Sequence, residues 1–175
     1  MSTPKILPTI ALGCLILSAT ACGPRVDLKK DLVVVDVVTG WYDAGIIKDT
    51  EGDKNRIVPS IAFRLKNVTP DKTIASVQIN AVYRPVNERE KEWGTTWVKA
   101  IGSDGLKPGE TSGQLVLRSD RGHLGLQPRL QMLQNSGFVD VFVDVMGKYG
   151  PDQWVKLATY PIARQLLTQY DRPPV

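Results

Sequence analysis

The sequence contains few of the residues on which most enzyme and metal sites depend. Its 175 residues include two cysteines, Cys14 and Cys22, and one histidine, His123. One histidine without a spare cysteine cannot supply the usual ligands of zinc. The chain also lacks a G-x-S-x-G elbow, a phosphate-binding loop and a dinucleotide fingerprint. We therefore expect no enzymatic activity, no catalytic residue and no cofactor.

Two weaker catalytic patterns are also poorly supported. Ser119, Asp120 and His123 could suggest a hydrolase triad, but they are neighbours in one glycine-containing loop, whereas triads are assembled from distant segments. We interpret His123 as a surface-loop residue. Asp140 and Asp144 would lie about 13 Å apart along one strand, which is farther than the paired carboxylates of glycosidases.

Long apolar runs are missing except near the N-terminus. There the stretch "ILPTIALGCLILSA" follows Lys5 and is followed by small residues, which predicts a secretory signal peptide at residues 1–21. A membrane-spanning helix needs about 20 apolar residues. This run is shorter and contains Pro8, so a permanent span is the weaker interpretation.

The end of this leader, "LSATACG", resembles the lipobox of bacterial lipoproteins. The resemblance implies cleavage between Ala21 and Cys22, with diacylglycerol joined to the Cys22 sulfur, so that membrane lipid is a partner. Ala19 stands where the pattern usually has leucine. An ordinary A-x-A signal peptide, with Ala19 and Ala21 as its small residues, is the alternative.

Removal of the leader would leave Cys22 without a disulfide partner. A lone thiol is unusual in an oxidising compartment, and acylation removes that difficulty. Gly23 follows Cys22, whereas an aspartate at this place retains some lipoproteins in the inner membrane. The resemblance therefore implies a protein of the cell envelope, anchored in the outer membrane and facing the periplasm.

The remaining 154 residues carry 21 basic and 18 acidic side chains, a formal charge of +3. This charge is too small, and the basic residues are too scattered, to indicate nucleic-acid binding. A chain of this length forms about one domain and can bury a sufficient core without disulfides. We expect a solvated tether at 22–30, a β-sandwich at 31–168 and a frayed tail at 169–175.

Helical periodicity is nearly absent, and short β-branched runs alternate with turn residues. This pattern favours an all-β antiparallel sandwich of about seven strands. The predicted strand segments are 32–42, 57–67, 73–84, 93–101, 112–119, 137–149 and 152–167. One short helix is expected within 128–137, with Pro128 at its first position and Gly137 just past its end.

The middle of the chain resembles a known group of small sandwiches. "FRLKNVTPDKTIASVQINAVYR" (63–84) contains an N-x-(S/T) turn, and "LKPGETSGQLVL" (106–117) contains an L-x-P-G-E turn. Both turns recur in domains of the FxLYD and LEA-14-like type. The resemblance implies an immunoglobulin-like topology and says little about function.

Two ligand-binding possibilities arise from side chains. In "DTEGDKN", Asp49, Glu51, Asp53 and Asn55 alternate and form a weak calcium candidate, but Lys54 stands where an EF-hand needs glycine. We favour a solvated loop. The four tryptophans could line a sugar-binding face, although packing in the core is the favoured interpretation. They are Trp41, Trp93, Trp97 and Trp154.

The stretch "GFVDVFVDVMGKY" (137–149) predicts a strand with two different faces. The core face is predicted to hold Val139, Val141, Val143 and Val145. The opposite face is predicted to hold Phe138, Asp140, Phe142, Asp144 and Met146. A face open to solvent would not normally hold two phenylalanines, and a buried face would not hold two aspartates without partners. The mixture therefore predicts a face that is partly covered. The cover is either segment 119–136, which we favour, or a partner protein.

These observations favour a non-enzymatic, lipid-anchored envelope lipoprotein that acts through contacts with another envelope protein. A carbohydrate- or calcium-binding β-sandwich module is the alternative. Exposed, clustered tryptophans would favour the carbohydrate module.

Overall fold

Two β-sheets contain most of residues 26–167, the part of the chain that the computed structural model describes. The predicted leader, Cys14, Cys22 and the predicted tail at 169–175 lie outside the described residues. The elements are α1 (Leu28–Asp31), β1 (Leu32–Ile47), β2 (Lys54–Asn67), β3 (Val77–Pro85), β4 (Gly94–Ile101), β5 (Leu115–Arg118), β6 (His123–Gly125), α2 (Arg129–Gln134), β7 (Val141–Tyr149), β8 (Val155–Pro161) and β9 (Leu166–Leu167).

The first sheet has the order β5-β2-β1-β9, with β6 also paired to β2, and the second has the order β4-β3-β7-β8. All these pairs are antiparallel except β1 with β9, which is parallel. The mostly β architecture predicted from the sequence is confirmed. Each of the seven predicted segments contains a strand. The last one, 152–167, holds both β8 and the short β9, and β6 lies outside the predicted segments.

The core lies between the sheets and is built by strand alternation. In β3 the residues Val77, Ile79, Ala81 and Tyr83 are fully buried, as their spacing predicts, because alternate side chains point to the same face. Buried side chains of the first sheet, among them Trp41 and Phe63, belong to the same core cluster. The two sheets therefore share one hydrophobic core.

The predicted short helix within 128–137 is α2, and it inserts Met132 and Leu133 into the core. Pro128 is its N-cap rather than its first helical residue, and Asn135 ends it. The helix bridges β6 and β7, so a single turn-rich connection returns the chain from the first sheet to the second.

The predicted tether is partly wrong, since the folded region begins before residue 31. Asp27 caps α1 by accepting a hydrogen bond from the Lys29 amide at 3.1 Å. Leu28 is only 4% exposed. Gly147 in β7 leaves the space that Leu28 needs, because a Cβ there would lie 3.2 Å from a Leu28 methyl carbon. Burial of Leu28 and the cap from Asp27 therefore hold this charged segment against the second sheet.

Candidate binding face on the second sheet

The outer surface of the second sheet displays side chains from β4, β3, β7 and β8 in register. Residues directly opposite one another on paired antiparallel strands point to the same side of the sheet. The rows across the sheet are Lys99, Gln78 and Lys148; Trp97, Asn80, Met146 and Lys156; Thr95, Val82, Asp144 and Thr159; and Arg84, Phe142 and Pro161. We call this surface the outer face.

A buried carboxylate lies in the middle of the outer face. Asp144 is only 3% exposed. Its oxygens accept a hydrogen bond from the Thr159 hydroxyl at 2.5 Å and lie 2.9 Å from Lys156 Nζ and 3.4 Å from Arg84 Nε. The sequence alone placed Asp144 on a partly covered face without identifying its partners, which the strands on both sides supply.

The pKa of Asp144 reflects these neighbours. Burial raises the pKa of the carboxyl, but the hydrogen bonds from Thr159 and Lys156 and the charges of Lys156 and Arg84 outweigh it, so the pKa is lowered below its ordinary value. Asp144 is therefore ionised at neutral pH and holds two cations in place on the outer face.

Phe142 lies at the floor of a cavity of about 290 Å³ beside this carboxylate. The guanidinium carbon of Arg89 is 5.4 Å from the centre of the Phe142 ring. The cavity is lined by Arg84, Arg89, Glu90, Phe142, Asp144, Lys156 and Thr159. Its lining thus combines one aromatic ring with polar and charged side chains, and the Arg89 guanidinium lies over the ring at a cation–π distance.

The lining residues show which parts of the chain lie around Phe142. They come from β3, the loop after it, β7 and β8, and none comes from segment 119–136, so the predicted cover by that segment is wrong. That segment instead pairs with β2 through β6 and packs into the core through α2. Phe142 is half-buried, and the cover from its own chain is incomplete.

Phe138 does not share the outer face with Phe142. The strand begins at Val141, and residues before it form a turn in which the Phe138 amide donates to the Asn135 carbonyl. The alternation therefore does not extend back to Phe138, which is 8% exposed and packs 4.7 Å from the Trp41 ring, centre to centre. Val139, predicted to be in the core, is half-buried.

Asp140 is also placed before the strand, and its carboxylate is paired with Arg164. Nε of Arg164 lies 2.6 Å from one carboxylate oxygen and Nη2 lies 2.8 Å from the other. The hydrogen bonds from Arg164 lower the pKa of Asp140, and those to Asp140 raise the pKa of Arg164. The same guanidinium contacts the carbonyls of Leu133 and Phe138, so it fastens the turn before β7.

His123 is not a surface-loop residue, and this prediction is wrong. It lies in β6, opposite Ile57, and its half-buried ring contacts three aromatic rings. The ring centres of Phe138, Trp93 and Trp41 lie 4.3, 4.9 and 5.3 Å from that of His123. Burial lowers the pKa of His123, although the Val139 carbonyl 3.4 Å from Nε2 opposes this.

No hydrolase triad forms around His123 in the described chain. The Ser119 hydroxyl accepts from the Arg121 amide, and the Asp120 carboxylate accepts from the Thr95 amide. These two side chains therefore stabilise the turn and its contact with β4.

The calcium candidate forms an internally paired loop. Lys54 Nζ lies 2.7 Å from Asp49 and 2.9 Å from Glu51, and the Asn55 amide donates to the Gln127 carbonyl. The lysine thus occupies the position between two carboxylates where a cation would bind. Across residues 26–167 there is no group of three or more metal-ligating side chains.

The four tryptophans divide into two pairs. Trp41 is fully buried and Trp93 packs against the core, as expected. Trp97, at 68% exposed, and Trp154, at 39%, do not pack in the core, and here the favoured interpretation is wrong. Trp97 belongs to the outer face, because its partner Asn80 points outward from β3. Outward Asn80, Gln78 and Arg84 were predicted from alternation in β3.

The residues that complete the cavity could not all be found from the sequence. The alternation of side chains in β3 identified Arg84 as outward-facing, but it did not show that Arg84 pairs with Asp144 on β7. Lys156 and Thr159 become neighbours of Asp144 only through the pairing of β7 with β8, which includes a bulge between Val145 and Met146.

Within the described range, neither helix has the length and apolar character to cross a membrane.

Comparison with known proteins adds little to this geometry. No protein-family model matches the chain, and no curated protein matches it. A solved structure, the X-ray structure of Northeast Structural Genomics Consortium target SoR45, is similar over 78% of this chain and 89% of that chain, with 13% identity and a TM-score of 0.37. At that score the similarity supports no functional or topological conclusion.

Proposed function

We propose that the chain is a lipid-anchored, non-enzymatic protein of the bacterial envelope that binds another envelope protein through the outer face. The lipobox-like "LSATACG" supports the anchor, with acylated Cys22 as the attachment to the outer membrane. The cavity around Phe142 is the observation that carries the binding role.

This cavity has the composition of a binding pocket rather than of a catalytic one. The half-buried Phe142 ring can receive an apolar side chain once the Arg89 guanidinium swings off it. Arg89 forms no ion pair with a described residue and can then meet a carboxylate. The one strongly buried acid, Asp144, is fully occupied by Thr159, Lys156 and Arg84. A partner with an apolar side chain beside an acidic one would fit it.

We also propose an immunoglobulin-like topology of the FxLYD and LEA-14-like type. Its support is that the two turns carrying the resemblance contact one another. The buried Asn67 side chain accepts from the Thr69 amide and donates to the Leu106 carbonyl at 2.8 Å. In the main chain, the Asn67 N–H donates to the Glu110 carbonyl, and the Gly109 N–H donates to the Asn67 carbonyl.

Site-specific photo-crosslinking in intact cells tests the binding role. A photoreactive residue in place of Lys156, at the cavity wall, should give one discrete crosslinked product. The matched control is the same residue in place of Lys107, in the exposed turn between β4 and β5. The product should disappear when Phe142→Ser is added. Equal products at both positions, or a product that survives Phe142→Ser, would contradict the proposal.

A further inference from the structure

The part of the outer face around Trp97 has a chemistry different from that of the cavity. Trp97 is in the interior of β4 yet strongly exposed. Asn80 lies directly opposite it on β3, and Gln78 lies in the adjacent row between Lys99 and Lys148. An exposed indole, two planar amides and two ammonium groups therefore share one surface, which we call the Trp97 patch.

The charges of the Trp97 patch are not neutralised within the described chain. Lys156 pairs with Asp144, but neither Lys99 nor Lys148 forms an ion pair with a residue in the range 26–167. Asp144 is the one acidic residue in β3, β4, β7 and β8, and it is already paired. The patch thus presents a positive surface, which favours an anionic ligand.

The spacing of the two lysines limits the kind of anion. Their Cα atoms are separated by two strand spacings, or about 10 Å. One carboxylate or phosphate cannot contact both ammonium groups closely unless both side chains converge. Two anionic groups on successive units of a chain would meet them without strain. The ligand is therefore expected to be an extended molecule with repeated charges.

We propose that the Trp97 patch binds an acidic oligosaccharide, a chain of sugar units that bear carboxylates. An indole gives a flat apolar surface with a polar edge, on which the apolar face of a sugar ring can pack. The Asn80 amide oxygen already accepts from the Thr95 hydroxyl at 2.8 Å, which leaves the Asn80 NH2 group and the Gln78 amide to bond sugar hydroxyls. Lys99 and Lys148 meet the carboxylates. An acidic peptide would offer the carboxylates without the sugar rings, and it is the competing ligand that the test includes.

This site is independent of the proposed protein contact. It uses neither Cys22 nor the lining of the Phe142 cavity, so either proposal can fail alone. Because Trp97 is exposed and its side chain is not part of the core, its replacement should leave the fold intact, and a binding loss can be assigned to the surface.

Isothermal titration of the purified full chain with tetragalacturonate tests the proposal. Neutral cellotetraose and tetraglutamate serve as comparison ligands for sugar without charge and charge without sugar. Tetragalacturonate should bind at least about tenfold more tightly than either, a difference of about 1.4 kcal/mol. Binding should weaken with added salt.

Variants then assign the binding to the patch. Trp97→Ala should weaken binding by about tenfold or more, as removal of an aromatic anchor does, and Trp97→Phe should restore part of it. Lys99→Ala and Lys148→Ala should each weaken it by about two- to fivefold, as loss of exposed ion pairs does. Lys107→Ala and Leu130→Ala, at exposed positions outside the patch, should have no effect.

Three results would overturn the proposal. Equal binding of cellotetraose would exclude the role of the lysines, and equal binding of tetraglutamate that is insensitive to Trp97→Ala would indicate an unspecific anion surface. Absence of binding by tetragalacturonate at millimolar concentration would exclude the acidic saccharide site. None of these results bears on the crosslinking at Lys156.

Discussion

The Tyr83 hydroxyl in β3 donates a hydrogen bond to the Leu117 carbonyl in β5 at 2.7 Å, and so joins the two sheets through the core. Both residues are buried, and burial raises the pKa of the phenol well above its ordinary value. The Ser60 hydroxyl donates to the same carbonyl at 3.3 Å. The carbonyl would therefore keep one partner if Tyr83 lost its hydroxyl.

Tyr83→Phe should lower the free energy of unfolding by about 1 kcal/mol, the net worth of one buried hydrogen bond. Urea denaturation followed by circular dichroism measures it. Tyr160→Phe is the control, since the Tyr160 hydroxyl makes no hydrogen bond within the described chain. An equal loss in both variants would mean that the bond between Tyr83 and Leu117 contributes nothing specific.

His123 should make stability depend on pH as the pH falls below the ordinary histidine pKa of 6.5. Its pKa in the folded chain is lowered below 6.5 by burial among aromatic rings. As pH falls through 6.5 the unfolded state takes up a proton that the folded state does not, so stability falls until the pH reaches the lower folded value. The aspartates with lowered pKa values titrate from 3.8 downward and leave this window clear.

Urea midpoints measured at pH 7 and pH 5 test this expectation. The chain should be less stable at pH 5, and in His123→Gln the difference between the two pH values should largely vanish. A variant that keeps the full difference would assign the pH dependence to other groups.

Asp144→Asn should destabilise the fold more than Asp140→Asn. Asp144 is buried and neutralises Lys156 and Arg84, so its loss leaves two cations without their counter-charge, at a cost of about 1–3 kcal/mol. The pair of Asp140 and Arg164 is exposed, and solvent screening should make its contribution smaller.

The pH dependence of the Asp144 contribution has a definite sign. Because the pKa is lowered on folding, the stability it contributes is present above 3.8 and is lost as pH falls through the folded value. Wild type and Asp144→Asn should therefore differ most near pH 7 and converge in acid. A gap that stays constant down to pH 2 would contradict an ionised Asp144.

Phe142→Ser should reduce stability only modestly, by about 1 kcal/mol, because the ring is half-buried and loses less apolar contact than a core residue. In the same variant, the crosslinked product at Lys156 should disappear. A loss of about 3 kcal/mol or more would show that the ring is a core residue, and would remove the reason to regard it as a contact for a partner.

Cys22→Ser should move the protein from the membrane fraction to the soluble fraction, since two or more acyl chains are needed for firm anchoring and the serine carries none. Mass spectrometry of the wild-type protein should find an acylated Cys22 at the N-terminus. An unmodified N-terminal peptide, or one that begins elsewhere, would contradict the lipobox assignment.

Strand periodicity was predictable from the sequence, whereas strand pairing was not. Alternation placed Val77, Ile79, Ala81 and Tyr83 in the core without knowledge of any neighbour. It failed at Phe138, because alternation holds only inside a strand and the Asn135 turn displaces the start of β7 to Val141.

The candidate site depends on strand pairing, which could not be predicted from the sequence. The partners of Asp144 come from two other strands, and their register is fixed by pairing and by a bulge rather than by local sequence. Likewise, an aromatic residue in a strand segment does not by itself reveal which side of the sheet faces solvent, and so Trp97 could not be distinguished from Trp41 by sequence.

The burial of Leu28 limits how far an anchored domain could rise above its membrane. Only residues 23–27 would separate Cys22 from the fixed start of α1, and a fully extended chain covers at most about 3.6 Å per residue. The connecting segment would therefore span no more than about 20 Å, less than the width of a small domain. If Cys22 is acylated as proposed, a partner embedded in the same membrane would be within reach, but one fixed farther away would have to approach the bilayer.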